Sequence, residues 1–337
     1  MTSIKDVARM AGVSTATVSR TLAEPDKVAE KTRKKVLATV EKSGYVANSL
    51  ARNFRRKRTN MVVVIVPDIT NSFFSNIIQG IEAVAHANAY RILLGDTQHS
   101  ATRAIEYGDF VAQKQADGII VLGRSIPFPY QQERKTLDPK WPPFVMACEY
   151  DEVAPVPTVC IDNKQAAFDA VMYLINLGHR CIAYINGPAD SPLCRDRLSG
   201  FRKAMKTIGI TNTRNQVYGG DFSLKSGSSA MSEIMDSAHE RPTAVFAASD
   251  SMAIGALQVI KASGLSVPGD ISLMGFDDIK FSAYSDPALT TVHQPRNRIG
   301  ETAMQRMLDL LERRDVSSEH EILPHRLVIR ASAAAPS

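Results

Sequence analysis

Residues 4–22 read IKDVARMAGVSTATVSRTL. The first part has helical period: Ile4, Val7, Ala8 and Ala11 fall on one face. Gly12 interrupts it, and Ser14 is placed to cap a second helix running to about Leu22. That second helix is short, hydroxyl-rich and too polar for a core. A third helix is expected at about 30–43, with Val36, Leu37 and Val40 inward and Gly44 as its stop. Three short helices with tight joints define a helix-turn-helix head. In that motif the second helix enters the major groove of DNA with its N-terminal residues on the base edges. Ala8 must be small where the helices cross, Gly12 permits the turn, and Val18 plugs the second helix into the core. Thr15, Ala16, Thr17, Ser19 and Arg20 are left at the groove.

Chemistry assigns the roles. Arg20 can pair with guanine, Thr15 can exchange hydrogen bonds or touch a thymine methyl, and Ala16 offers apolar contact alone. Ser14 and Thr17 suit phosphate oxygens. A small residue, Gly and Val at this spacing also occur in purely structural hairpins. The charge distribution decides between the two. Residues 1–60 carry 14 Lys and Arg against 5 Asp and Glu, whereas the rest carries 26 against 30. A basic first sixth on a slightly acidic remainder points to double-stranded DNA as partner.

The texture changes after residue 60. MVVVIVPDI is a β-branched run of the buried parallel-strand kind. Strands and amphipathic helices then alternate: FFSNIIQGIEAVAHA, YRILLGD, AIEYGDFVAQKQA, GIIVLG, TVCIDN, AAFDAVMYLINLG, CIAYING, RLSGFRKAMKTIG, TAVFAASD, MAIGALQVIKASG and ISLMGFDD. This is doubly wound α/β structure, and its length suggests two lobes. Between head and body, NSLARNFRRKR (48–58) is too charged to fold alone. The tail ASAAAPS is expected to be loose.

Several classes are disfavoured. No apolar run is long enough for a membrane span. MTSIKDVARM lacks the apolar core of a secretory signal, so a cytoplasmic protein is expected. Cys148, Cys160, Cys181 and Cys194 form no C-x-x-C pair, and the seven histidines no H-E-x-x-H, so neither a metal nor any other cofactor is expected. No nucleophile elbow, P-loop or dinucleotide fingerprint appears, so no catalytic residues are assigned.

IKDVARMAGVSTATVSRTL, TRKKV and GYVANSLARNF, followed by a two-lobed α/β body, resemble the lactose-repressor family of bacterial transcription regulators. The stretches VIVPDITNSFFSNIIQGIE, SPLCRDRLSGF, DNKQAAFDAVMYL, GDFSLKSGSSAM and SDPALTTVHQPRNRIG resemble its cytidine-responsive branch and are partly shared with purine-binding members. The resemblance implies a helical head (1–47), a hinge helix (48–60) and a body of the periplasmic-binding-protein type (61–332). Lobe 1 is expected at about 61–160 and 291–318, lobe 2 at about 161–290 and 319–332.

It also implies that the hinge becomes helical only on operator DNA, where paired hinges enter the minor groove. Asn48 would cap it, Ala51 would allow close approach, and Arg52 and Arg55 would meet phosphates or the groove wall. Two departures stand out: Phe54 replaces the usual leucine wedge, and Ala47 the usual proline. A phenylalanine wedge can intercalate, but a looser hinge and relaxed half-site spacing follow. Ala29 is a third departure. It stands where the family prefers a hydroxyl cap, at a cost of roughly 1 kcal/mol.

Effector contacts are expected at the carboxyl ends of strands, in the cleft between lobes. By the resemblance they fall on Phe73, Phe74, Arg197, Phe222 and Asp277. The aromatic rings can stack on a flat base, although one of Phe73 and Phe74 is expected under its helix. Arg197 can donate two parallel hydrogen bonds, and Asp277 can accept from ribose hydroxyls. Asp162 and Asp250 also follow strands, with helix capping as an equal alternative. Rings, a carboxylate and an arginine suit a neutral nucleoside better than a sugar phosphate. The resemblance implies a homodimeric repressor induced by a nucleoside, cytidine first, with the cyclic-AMP receptor protein as a neighbouring partner. A purine- or sugar-responsive regulator, a corepressed one, and an enzyme on the same fold are the alternatives.

Overall fold

The computed structural model describes residues 2–45, 58–128, 141–151, 156–213, 216–237, 241–314, 316 and 320–336. Asn48, Ala51, Arg52, Phe54 and Arg55 lie outside the described residues, as do the hinge roles expected of them. The chain divides into two compact units, at Met1–Thr59 and Asn60–Ser337.

The head contains α1 (Ile4–Ala11), α2 (Thr15–Ala23) and α3 (Glu30–Ser43). A capping box starts α1: Asp6 N–H donates to Ser3 Oγ, and Ser3 N–H to the Asp6 carboxylate. Gly12 ends the helix at φ 59°, a left-handed conformation that costs glycine nothing. Ser14 caps α2 by accepting from Thr17 N–H at 3.1 Å. Val7, Ala8, Ala11, Val18 and Val36 form the core. Ala29 makes no side-chain cap bond at the start of α3. Leu37 corrects the expected inner face of α3, because it is 43% exposed. Val36 and Val40 share a face at one-turn spacing, and Leu37 is rotated about 100° off Val36. Tyr45, folding back after Gly44, packs against the core with them.

The second unit holds two six-stranded sheets. The first comprises β1 (Met61–Val66), β2 (Arg91–Asp96), β3 (Gly118–Val121), β4 (Phe144–Ala147), β5 (Thr158–Ile161) and β11 (His320–Leu323), in the order β11-β5-β4-β3-β1-β2, all pairs parallel. The second comprises β6 (Ile182–Ile185), β7 (Val217–Tyr218), β8 (Ala244–Ala247), β9 (Ser272–Asp277), β10 (Thr290–His293) and β12 (Arg326–Val328), in the order β12-β10-β9-β8-β6-β7. Only the edge pair β10–β12 is antiparallel. The central strands are apolar and buried on both faces, as a sheet covered by helices requires.

Helices α4 (Phe73–Ala87), α5 (Ala101–Ala112) and α10 (Arg296–Leu311) pack with the first sheet, and α6 (Asn163–Asn176), α7 (Pro192–Thr207), α8 (Leu224–Asp236) and α9 (Asp250–Ala262) with the second. Helices α4 and α10 cross closely because each has glycine there. A Cβ on Gly80 would fall 2.1 Å from the Asn297 carbonyl, and one on Gly300 2.0 Å from that of Ile77. The chain passes between the lobes three times: after β5, between β10 and α10, and between β11 and β12. The last crossing corrects the expected boundary. Strand β11 pairs with β5 in the first sheet, so 319–332 does not belong wholly to the second lobe. A four-residue edge strand carries too little periodicity to show which sheet it joins. The tail is also held rather than loose: Ser332 Oγ donates to the Leu273 carbonyl at 2.6 Å, and Ala334 N–H to Ser272 Oγ at 3.0 Å.

Candidate functional site

The groove-reading face is set by the cap and plug of α2. With Val18 fully buried, Thr15, Ala16 and Arg20 are exposed, while Thr17 and Ser19 are half-buried. The Ser14 and Thr17 hydroxyls lie 2.9 Å apart, so both belong to the cap as well as facing outward. Arg20 in the last turn makes α2 cationic where it is exposed.

In the body, the carboxyl ends of β5, β6, β8 and β9 bring several of the expected residues together. Arg197 on α7 is only 4% exposed. Its guanidinium lies 3.7 Å from the Phe276 ring centroid. Nε donates to Asn163 Oδ1 at 2.9 Å and Nη1 to the Ala248 carbonyl at 2.6 Å. Nη2 faces the Asp277 carboxylate at 3.9 Å. The expected bidentate fork is therefore partly committed to the protein, and its Nη2 edge is the part turned to Asp277. Beneath Phe276, the rings of Phe246, Tyr184 and Phe201 continue as a column at 6.5, 5.2 and 5.0 Å spacings. This column fixes the plane on which the arginine rests.

Asp277 ends β9 at φ 112°, a strained conformation for a non-glycine residue. Its carboxylate accepts from Gln294 Nε2 at 2.8 Å. Burial pushes its pKa up to about 6, against the opposing pull of Arg197, Gln294 and Arg296. The neighbouring Asp278 behaves oppositely. Although burial raises it, hydrogen bonds from His293 (2.8 Å) and Arg330 (2.6 Å) hold it at about 2. Arg296 Nη2 donates to the Asp278 carbonyl, while among the described residues its buried Nε has no partner. Gln294 and Arg296 both sit on the second crossover, so the end of β9 is tied directly to the segment joining the lobes.

Three more contacts span the lobes. Arg124 pairs with Asp190 at 2.6 Å, Tyr150 Oη donates to Asp196 at 2.8 Å, and Ser191 Oγ donates to Glu149 at 3.2 Å. Burial raises the Glu149 pKa, partly offset by Ser191, Arg124 and Arg197. Glu149, Asn163, Gln294 and Arg296 were not anticipated from sequence. Gln294 and Arg296 stood inside TTVHQPRNRIG, where a polar pair flanking Pro295 was the available signal.

The other expected residues divide. Phe73 and Phe74 are both buried at the start of α4, edge to face at 5.1 Å, whereas the sequence expectation places one under the helix. Phe222, at φ 70°, is half-buried with its ring against Gly187 at the end of β6. Asp162 caps α6, accepting from Gln165 N–H at 2.8 Å. Asp250 is fully buried at the first position of α9, and Ser249 is the cap. Its carboxylate accepts from Thr291, Ser282 and Ile279 N–H, leaving it no face for a ligand. Burial and the nearby Asp277 push Asp250 up to about 7. Among the described residues no His, Cys, Asp and Glu cluster is arranged to hold a metal ion, and no helix is long and apolar enough to cross a membrane.

A helix-turn-helix head joined to a two-sheet body with a polar interlobe cleft defines an effector-controlled DNA-binding regulator. Residues 3–48 match the bacterial regulatory proteins of the lacI family, and residues 171–333 match the periplasmic binding protein-like domain. The chain is 43% identical to the HTH-type transcriptional repressor CytR of Escherichia coli over 98% of its own length and 96% of the relative's. It is 34% identical to the HTH-type transcriptional repressor PurR of Photobacterium profundum, over 98% of each chain. The Lac repressor dimer bound to operator and the anti-inducer ONPF superposes with a TM-score of 0.86 at 27% identity, over 99% of each chain. This chain belongs to the lacI family and is a transcriptional repressor of that family.

Proposed function

We propose that the protein is a cytoplasmic, homodimeric repressor released from its operator by a neutral nucleoside, cytidine first. The observation that carries the effector class is the state of the cleft cations. Arg124, Arg197 and Arg296 are each engaged with protein acceptors. A phosphorylated effector would need donors free of such commitments, whereas a nucleoside needs an acceptor for its hydroxyls and one donor edge. Asp277 and Arg197 Nη2 supply those, and Phe222 stands at the end of β6. A purine effector is the second reading, favoured by the similarity to PurR.

Thr15, Ala16 and Arg20 read bases, and Ser14 and Thr17 hold the backbone. Asn48, Ala51, Arg52, Phe54 and Arg55 form the minor-groove hinge. Homodimerisation is supported by Leu224, Phe281 and Tyr284, which are 54%, 58% and 78% exposed on the second lobe. By the same family resemblance, the cyclic-AMP receptor protein is the neighbouring partner to test.

The test is fluorescence anisotropy on an operator selected from a DNA pool, with and without cytidine, over a salt series. Steep loss of affinity with salt supports phosphate contacts. Release by cytidine, but not by adenosine, guanine or ribose, supports the proposal. Release by a purine or sugar alone would transfer the assignment to that effector.

A further inference from the structure

Helix α7 carries charge on two faces. Arg197 points inward. At about 100° per residue, Ser199, Arg202, Lys203 and Lys206 lie on the opposite side. With Lys164 from the start of α6 and Thr211 beyond α7, they line a concavity of about 430 Å³. Lys164, Arg202, Lys203 and Lys206 are all exposed, and among the described residues none has a carboxylate partner. The nearby acids are occupied: Asp162 caps α6, Asp169 bonds His325, and Asp196 bonds Tyr150. Lys203 is further placed by the Phe168 ring, 4.5 Å from its Nζ.

This cluster is not background charge, because residues 61–337 carry more acids than bases. Four cations around one small space repel one another, and that repulsion is relieved by a multivalent anion. The hydroxyls of Ser199 and Thr211 add donors suited to phosphate oxygens. A space of this size admits a small ligand. We propose that this α6–α7 face binds a small soluble polyphosphate, a chain of two or three phosphates either free or carried by a nucleotide. The site is separate from the nucleoside cleft and does not depend on that assignment.

The basic head also attracts polyanions, so the test must localise binding. Hydrogen–deuterium exchange of the full-length protein would be followed with sodium tripolyphosphate, adenosine triphosphate and orthophosphate as probes. The expected result is protection in peptides covering Lys164 and 199–211 with tripolyphosphate, weaker with orthophosphate. In the double variant Arg202→Gln/Lys206→Gln, both side chains being exposed, calorimetric affinity should fall about tenfold or more and the local protection should vanish. Added protection from adenosine triphosphate would identify a nucleotide as the carrier, and equal protection a free polyphosphate. Protection confined to residues before 60, or binding unchanged in the double variant, would overturn the proposal.

Discussion

Arg197 shows how much one side chain can be asked to do. It is a buried cation stacked on Phe276, bonded to Asn163 and to the Ala248 carbonyl, and turned toward Asp277. Lysine keeps the charge but has neither the planar stack nor the fork. Arg197→Lys should weaken effector binding about 10–100-fold, the scale of one or two charge-assisted hydrogen bonds, while operator affinity without effector is kept. Calorimetry and anisotropy separate the two. Asp277 gives a pH signature. With its carboxyl held at about 6, it is ionised above that value and protonated below. On the proposed contact, effector hydroxyls need the ionised acceptor, so affinity should fall as pH drops from 7 to 5, by roughly tenfold one unit below the folded value. Asp277→Asn should flatten the profile; a wild-type profile flat from pH 5 to 7 would refute this role. The linkage to stability has the opposite sign. A raised carboxyl destabilises the folded state as pH rises from the unfolded value, about 3.9, toward 6. Asp278, held at about 2, stabilises above about 3.9 and loses that contribution as pH falls toward 2.

At the scale of the element, the head is nearly a direct translation of its caps. Ser3, Gly12, Ser14 and Gly44 stand where the helix ends need them. Ala29 is the exception, and α3 begins without a side-chain acceptor. Ala29→Ser should stabilise the head by about 1 kcal/mol, seen as a higher melting temperature in the head transition. No change there would mean that another group already serves those N–H donors. Leu37 shows the limit of such translation, because an apolar residue in an amphipathic helix still depends on where its neighbours leave room.

For the whole molecule, the end of β9 and the second crossover act as one hydrogen-bonded unit. Gln294 holds Asp277, and Arg296 and His293 hold Asp278. Whatever draws on Asp277 in the cleft also draws on the segment joining the lobes. Gln294→Ala should therefore retain effector binding within about tenfold while reducing the change in operator affinity that effector produces, since that change is the coupling free energy between sites. An undiminished ratio would assign the coupling elsewhere. The exposed Phe281 and Tyr284 lead to a prediction at the same scale. If the proposed homodimer forms through this face, Tyr284→Asp should shift the protein toward monomer in light scattering and weaken operator binding, because a charge would then be buried in the interface. A dimer of unchanged stability would place the interface on another face.

The amino-acid sequence by itself determined the three head helices, the parallel character of the body and the carboxylate that ends β9, whereas Arg197 was placed by the family resemblance. Those features are local: a period, a cap, or a polar residue directly after an apolar run. Only the tertiary structure decided that Asp250 is internal and Asp162 a cap, that Phe73 and Phe74 are both buried, and that β11 joins the first sheet. It also brought Gln294 and Arg296 to the end of β9. The physical reason is the same in each case. Burial, hydrogen-bond partners and sheet membership depend on residues distant along the chain, and a local pattern carries no information about which of them will arrive.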